Sequence, residues 1–323
     1  MKNRCYGIIL VIGIILAMLA LAGCNGQAKI NENKVIVCTV FPQYDWVRNI
    51  IGDIEGYEVK LLIKDGTDIH SYQPTIADVA MITNSDMLIY VGGESDAWID
   101  EIVEPETKDI VKVSLLGCIG DSAREEELVE GMQLPKEEGD EEEPEYDEHV
   151  WLSLKNASLL CECVAEEIAA LDESNRETII KNTHEYVAEL KTLDDMYAQG
   201  LAGARLNTLI FTDRFPFRYL MDDYGLDYYA AFLGCSAETE ASFETIRFLA
   251  DKLTELKLPA VVILDGADDA MAKTVVATSD NKDAVILRLD SMQSVTAGNI
   301  EAGTTYIGIV NSNYEVLKTA LDF

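Results

Sequence analysis

Imidazole is scarce in this chain. Of 323 residues only three are histidine: His70, His149 and His184. Each is a candidate metal ligand or acid–base group near neutral pH. His149 is the best placed of them, in Asp147-Glu148-His149-Val150-Trp151-Leu152-Ser153. A dense acidic run from Glu137 to Glu148 stops there and an apolar segment begins. Carboxylates beside an imidazole attract cations, so the chemistry these residues suggest is metal ligation. His70 stands in Ile69-His70-Ser71-Tyr72-Gln73-Pro74-Thr75, a polar loop after an apolar run, and raises the same reading. His184 lies beside Glu185 inside a long periodic segment and reads as an exposed helix histidine.

Charge supports a cation as the partner. The formal net charge is -33, from 58 acidic and 25 basic residues. Such a surface repels nucleic acid and anionic membranes and attracts cations at long range. With 48% hydrophobic residues, the chain is nonetheless a folded domain with an acidic skin. The acidic stretch 121–148 is too charged to pack and reads as a mobile, solvated loop. Hard carboxylates bind cations indiscriminately, so the stretch by itself names no metal.

Residues 1–23 read as a secretory signal. Lys2 and Arg4 precede an apolar run from Tyr6 to Leu21, and Leu21-Ala22-Gly23-Cys24 closes it with small residues before a cysteine. That ending is a bacterial lipobox, with Cys24 the site of lipidation. Residues 24–34 are then a polar tether. Five further cysteines follow: Cys38, Cys118, Cys161, Cys163 and Cys235. Cys161 and Cys163 are two apart in a helix and face different ways, which argues against a chelating pair. All five read as small buried hydrophobes, with an occasional bridge among them.

The elements that must position the histidines are strands and helices in alternation. Val35 to Val40, Val59 to Ile63, Met87 to Val91 and Val111 to Leu115 read as buried strands. Phe41-Pro42 breaks the first of them, and helices are expected from Tyr44 to Ile51 and, capped by Thr75, from Ile76 to Asn84. This pattern is a doubly wound α/β lobe over 35–173, with polar residues at the carboxyl ends of strands where ligands bind. Trp151 to Leu171 reads as a helix. Residues 174–203 carry apolar residues every three or four positions and predict one helix about 45 Å long. A second α/β alternation fills 204–323. Its strands are Thr208 to Phe211, Tyr228 to Phe232, Ala260 to Leu264 and Ala284 to Leu289. A helix opens at Asp213-Arg214, another runs from Ser242 to Leu256, and Asn313 to Leu321 closes the chain.

From about Val35 to Phe323 these pieces resemble the zinc/manganese-specific solute-binding lipoproteins of bacterial ABC importers. Asp68-Ile69-His70-Ser71-Tyr72-Gln73-Pro74-Thr75 looks like the family's first ligand loop and Asp147-Glu148-His149-Val150-Trp151-Leu152-Ser153 like its second. Glu238-Thr239-Glu240-Ala241-Ser242 resembles a turn of the second lobe. Asp290-Ser291-Met292-Gln293-Ser294-Val295 looks like the segment of the fourth ligand. The acidic run stands where zinc-type members often carry a histidine-rich loop. One position departs: counting back from Tyr224-Gly225 places the third ligand at Arg214, which binds no cation. Asp213 is the substitute if the loop is shifted; alternatively Arg214 pairs with Asp290.

The resemblance implies two similar doubly wound parallel-sheet lobes bridged by one long helix, with the metal in the cleft. The implied ligands are His70, His149 and Asp290, with Asp213 as a fourth. The implied cargo is Zn2+, with Mn2+ as the alternative, bound outside the cytoplasm by a monomer lipid-anchored to the cell membrane and delivered to an ABC permease. Because imidazoles bind metal only when deprotonated, affinity is expected to fall below about pH 6. A surface adhesin role is compatible with this reading. Two other classes compete with it. A metal-dependent hydrolase would need an open coordination position and a general base, and no His-Glu-x-x-His motif is present. A binding lipoprotein for an organic solute would use the two histidines as hydrogen-bonding groups.

Overall fold

A computed structural model describes residues 33–103, 110–133, 145–236 and 241–323. The signal segment, Cys24, nearly all of the tether, most of the acidic run and Glu238-Thr239-Glu240 lie outside the described residues. Lys34–Phe323 forms one unit.

The first lobe contains β1 (Lys34–Cys38), α1 (Phe41–Ile51), β2 (Tyr57–Leu61), α2 (Ile76–Thr83), β3 (Met87–Tyr90), α3 (Trp98–Ile102), β4 (Val111–Ser114) and α4 (Leu115–Ile119). All its strands pair in parallel, in the order β2-β1-β3-β4. Ile36, Val37 and Cys38 are fully buried, as a strand covered on both faces requires. Phe41-Pro42 opens α1 instead of separating it from the strand. A proline in the first turn lacks only an N–H that has no helical partner there, and Gln43 Oε1 accepts the backbone N–H groups of Thr39 and Val40. Thr75 caps α2 by accepting the Asp78 N–H.

Two helices lead out of this lobe, α5 (Leu154–Leu171) and the long α6 (Arg176–Ala202). The second lobe then follows with β5 (Thr208–Phe215), α7 (Arg218–Tyr224), β6 (Asp227–Leu233), α8 (Phe243–Glu255), β7 (Ala260–Leu264), α9 (Ala270–Thr278), β8 (Val285–Leu289), α10 (Ala297–Glu301) and α11 (Tyr306–Leu321). Its sheet is again parallel, in the order β6-β5-β7-β8. That order repeats the first sheet's, so the two lobes share one winding.

Asp213 and Arg214 belong to a strand and do not open a helix. β5 continues through an irregularity between Phe211 and Arg214 as far as Phe215. Pro216 favours an extended residue before it and postpones the helix to Arg218. The closing helix is longer than its apolar pattern suggests, because Thr305 caps it by accepting the Gly308 N–H.

Helix α6 packs on α1 and α5 on the first-lobe side and on α7 and α11 on the other. Ile179, Val187, Leu190, Tyr197 and Leu201 line its buried stripe. Asn182 Nδ2 donates to the Ile50 carbonyl at 3.1 Å and Tyr197 Oη to the Val310 carbonyl at 2.6 Å. One apolar core consequently runs from Ile36 through Leu190 to Phe211 and Leu321, with a second cluster, around Ile210, Leu249 and Val261, within the second lobe. A disulfide joins Cys118 of α4 to Cys163 of α5, while Cys38, Cys161 and Cys235 remain free.

The described flanks of the acidic stretch are docked. Glu125 and Tyr146 form an antiparallel bridge, the Glu126 N–H donates to the Glu145 carbonyl at 2.8 Å, and the Gln133 N–H donates to the Ala231 carbonyl at 2.9 Å. Arg218 meets Glu127 at 3.3 Å. Backbone pairing and Arg218 of the second lobe offset the like-charge repulsion that suggested a free loop.

Candidate metal centre

His70 sits in a single helical turn, Ile69–Ser71, between β2 and α2. Ile69 is buried beneath it, and Asp68 caps the turn: Asp68 Oδ1 accepts the His70 N–H at 3.0 Å. His149 is fully buried at the head of the Val150–Leu152 turn. Trp151 anchors that turn across the lobes, with Nε1 donating to the Ser291 carbonyl at 3.0 Å. Tyr306 Oη in turn donates to the Trp151 carbonyl at 2.6 Å.

The two imidazoles converge. His70 Nε2 and His149 Nε2 lie 3.1 Å apart. Two nitrogens bound about 2.0 Å from one tetrahedral zinc would stand about 3.3 Å apart, so the spacing suits a shared cation. Each outer nitrogen is held by a partner. Asp147 Oδ1 lies 2.9 Å from His149 Nδ1 and also accepts the His149 N–H at 2.8 Å. Ser95 Oγ lies 2.6 Å from His70 Nδ1, and the Ser95 N–H donates to Glu148 Oε1 at 2.8 Å. With Nδ1 protonated and donating outward, each ring points the lone pair of Nε2 into the cleft. The other Glu148 oxygen is buried without a hydrogen-bond partner and stands 3.7 Å from His70 Nδ1. Gly93 makes room for this carboxylate, since a Cβ there would come within 2.3 Å of Glu148 Oε1.

Their electrostatics differ. Burial, followed by the neighbouring charge of His149, brings His70 down to about 3, although Asp68 pulls the other way. Burial also disfavours the charged form of His149, but Asp147, with Glu148 and Glu126 behind it, more than compensates and raises it.

A third side-chain atom able to ligate a metal belongs to a residue that sequence reading passed over. The Cys235 thiol and one nitrogen from each of the two histidines all lie within 4.8 Å of one another. No other group of three such ligands occurs among the described residues. Cys235 follows β6 in Leu233-Gly234-Cys235-Ser236, at the carboxyl end of a strand, which was the available signal; Cys38 and Cys161 lie inside elements. Its N–H donates to Glu126 Oε1 at 2.8 Å. Burial and the acids Glu126, Asp147 and Glu148 push its thiol well above the usual range.

Asp213 and Asp290 do not join this group. Asp213 accepts the N–H groups of Arg214 at 2.8 Å and Leu264 at 3.3 Å, and burial raises it. Asp290 accepts the Met292 N–H at 2.7 Å and shares a pocket with Asp265, Ser294 and Asn299. Burial first, with Asp265 adding to it, raises Asp290 to about 6. Arg214 pairs with Asp68 and not with Asp290, and Gln293 Nε2 approaches the same carboxylate at 3.5 Å. Arg214, Asp68, Asp213 and His70 border a cavity of about 470 Å³ that reaches the site from the second lobe. His184 is exposed on α6 and takes no part.

A sequence profile of the family described as zinc-uptake complex component A, periplasmic, matches residues 36–320. The chain belongs to that family. The zinc-binding lipoprotein AdcA of Streptococcus pneumoniae (strain ATCC BAA-255 / R6) is 31% identical over 313 residues, which cover 95% of this chain and 60% of that protein. The chain thus spans about 60% of the length of these AdcA relatives. The metal ABC transporter substrate-binding lipoprotein ScbA of Streptococcus cristatus is 26% identical over 322 residues, covering 95% of this chain and 96% of ScbA. The solved Zn(II)-bound ZnuA-like domain of Streptococcus pneumoniae AdcA superposes with a TM-score of 0.71 at 28% identity, over 90% of this chain and 100% of that one. The two-lobed α/β architecture expected for members of the zinc-uptake family is the one this chain adopts.

Proposed function

We propose that this chain binds one divalent transition metal, zinc before manganese, between its lobes and hands it to an ABC-type membrane permease. The carrying observation is the 3.1 Å apposition of His70 Nε2 and His149 Nε2, each backed by a fixed acceptor on its other nitrogen. Imidazoles held in this way, buried and aimed at one point, form a ligand pair already arranged before the metal arrives. Family membership and the Zn(II)-bound relative support zinc as the cargo. Binding, not catalysis, suits a member of this solute-binding family. Lipidation of Cys24 would hold the carrier at the outer face of the cell membrane, close to its permease. In this reading Asp213 and Asp290 shape the second-lobe wall and lie outside the ligand set.

Competitive zinc and manganese calorimetry on the purified protein is the test. One equivalent of zinc, bound in preference to manganese, is expected. His149→Ala is expected to weaken it by at least the roughly 10–100-fold that loss of an outer-sphere partner costs. Stoichiometric binding unchanged in His149→Ala would overturn the site, and a protein that takes up no metal would overturn the function.

A further inference from the structure

We propose that Cys235 is the third metal ligand, so that the carrier holds its cargo through two imidazoles and a thiolate. This rests on the metal-binding reading above and goes beyond it by naming a third donor.

The position of Cys235 is built. Gly234 lies so close to the site that an added Cβ would come within 2.8 Å of the Phe215 carbonyl and 3.2 Å of His149 Cε1. The turn after β6 is therefore pressed onto the imidazole face, and the next side chain is the thiol. Glu126 fixes that turn from the acidic segment by accepting the Cys235 N–H. The remaining cysteines of the described residues are committed elsewhere: Cys118 and Cys163 to each other, Cys38 and Cys161 to the apolar core.

Arg214 cannot itself hold a cation: its guanidinium is drawn to Asp68 and contributes positive charge beside the cleft. A thiolate supplies one negative charge from the turn after β6, the strand paired with β5. Binding forms a metal–sulfur bond and breaks the S–H bond. The proton leaves to water. Sulfur is a soft donor: it suits zinc and disfavours manganese, which prefers carboxylate, carbonyl and water oxygens. Cys235 is thus a specificity-determining residue of the centre.

Cobalt(II) substitution reads the donor directly, because a thiolate ligand gives an intense near-ultraviolet charge-transfer band that imidazole and carboxylate do not. One equivalent of cobalt on the wild-type protein is expected to produce that band together with tetrahedral visible bands. Cys235→Ser is expected to lose the charge-transfer band, keep histidine-dependent visible bands, and bind zinc about tenfold or more weakly with manganese affinity little changed. The wild-type spectrum does not depend on how the variant folds. Stoichiometric cobalt that is abolished by His149→Ala yet shows no charge-transfer band would overturn the thiolate and leave the metal centre standing. Absence of any stoichiometric cobalt or zinc binding would overturn both.

Discussion

Arg214 of the second lobe grips the carboxylate of Asp68 in the first, and the other oxygen of that carboxylate receives the backbone N–H of His70. The residue that cannot bind a cation therefore acts on one that can, by holding the turn that presents it. Gln293 adds a second, longer contact from the same lobe.

Because both side chains are largely buried, at 21% and 22% exposure, the pair should show measurable coupling. Arg214→Ala and Asp68→Ala are each expected to destabilise the fold, and the double variant to fall short of their sum by about 1 kcal/mol. Chemical denaturation of the four proteins measures this. The same cycle with Asp290 in place of Asp68 should give additive effects.

Gly234→Ala places a methyl group against a backbone carbonyl and the His149 ring. The carbonyl cannot yield as a flexible side chain would, so the turn or the ring must move. Zinc affinity is expected to drop about tenfold, since outer contacts that orient a ligand are worth about 10–100-fold. Competition against a chromophoric chelator reports it. Unchanged affinity would show that the turn has slack.

Asp172 provides a pH signature remote from the centre. It receives hydrogen bonds from Tyr57 Oη at 3.0 Å, Ser174 Oγ at 2.6 Å and Asn175 Nδ2 at 2.9 Å, and Lys34 Nζ stands at 3.2 Å. Burial alone would raise it, but these partners outweigh burial and lower it well below an ordinary aspartate. A depressed carboxylate stabilises the fold above its unfolded value of about 3.9, and that stability disappears as pH falls through the folded value. Asp172→Asn should therefore cost about 1–3 kcal/mol at pH 7. The gap to wild type should narrow below about pH 4, as urea titrations across the range would reveal.

Reducing the Cys118–Cys163 bridge, or replacing both with serine, is expected to cost about 2–4 kcal/mol, the usual range for a disulfide. The bridge closes a sequence separation of 45 residues. Zinc affinity should stay within error, because neither residue belongs to the ligand group. Denaturation with and without reductant, followed by a zinc titration, separates the two quantities.

What the chain discloses before folding depends on how far apart the cooperating residues are. β1 and β7 could be read directly, because a strand buried on both faces must be apolar throughout. His70 and His149 declared themselves through their immediate neighbours. Arg214 appeared as an anomaly whose partner stayed hidden, since Asp68 is 146 residues away. Cys235 was hidden for the same reason: Glu126, which fixes it, is 109 residues distant, and a single thiol has no local pattern. The strand through Asp213 and Arg214 was misread because charged residues followed by Pro216 resemble a helix start, whereas the ladder to β6 carries them onward.

The bridge between Glu125 and Tyr146 makes the intervening stretch a port. The backbone leaves and re-enters the fold at paired residues, whatever length of chain runs between Gln133 and Glu145. Doubling such a stretch adds only about 0.6 kcal/mol of closure entropy. A fluorescent reporter spliced in there would be separated along the chain from Asp147, which lies 2.9 Å from His149 Nδ1, by as few as two residues, Glu145 and Tyr146. If the proposed metal site is right, such a fusion would serve as a candidate sensor of its occupancy, with His70, His149 and Cys235 untouched.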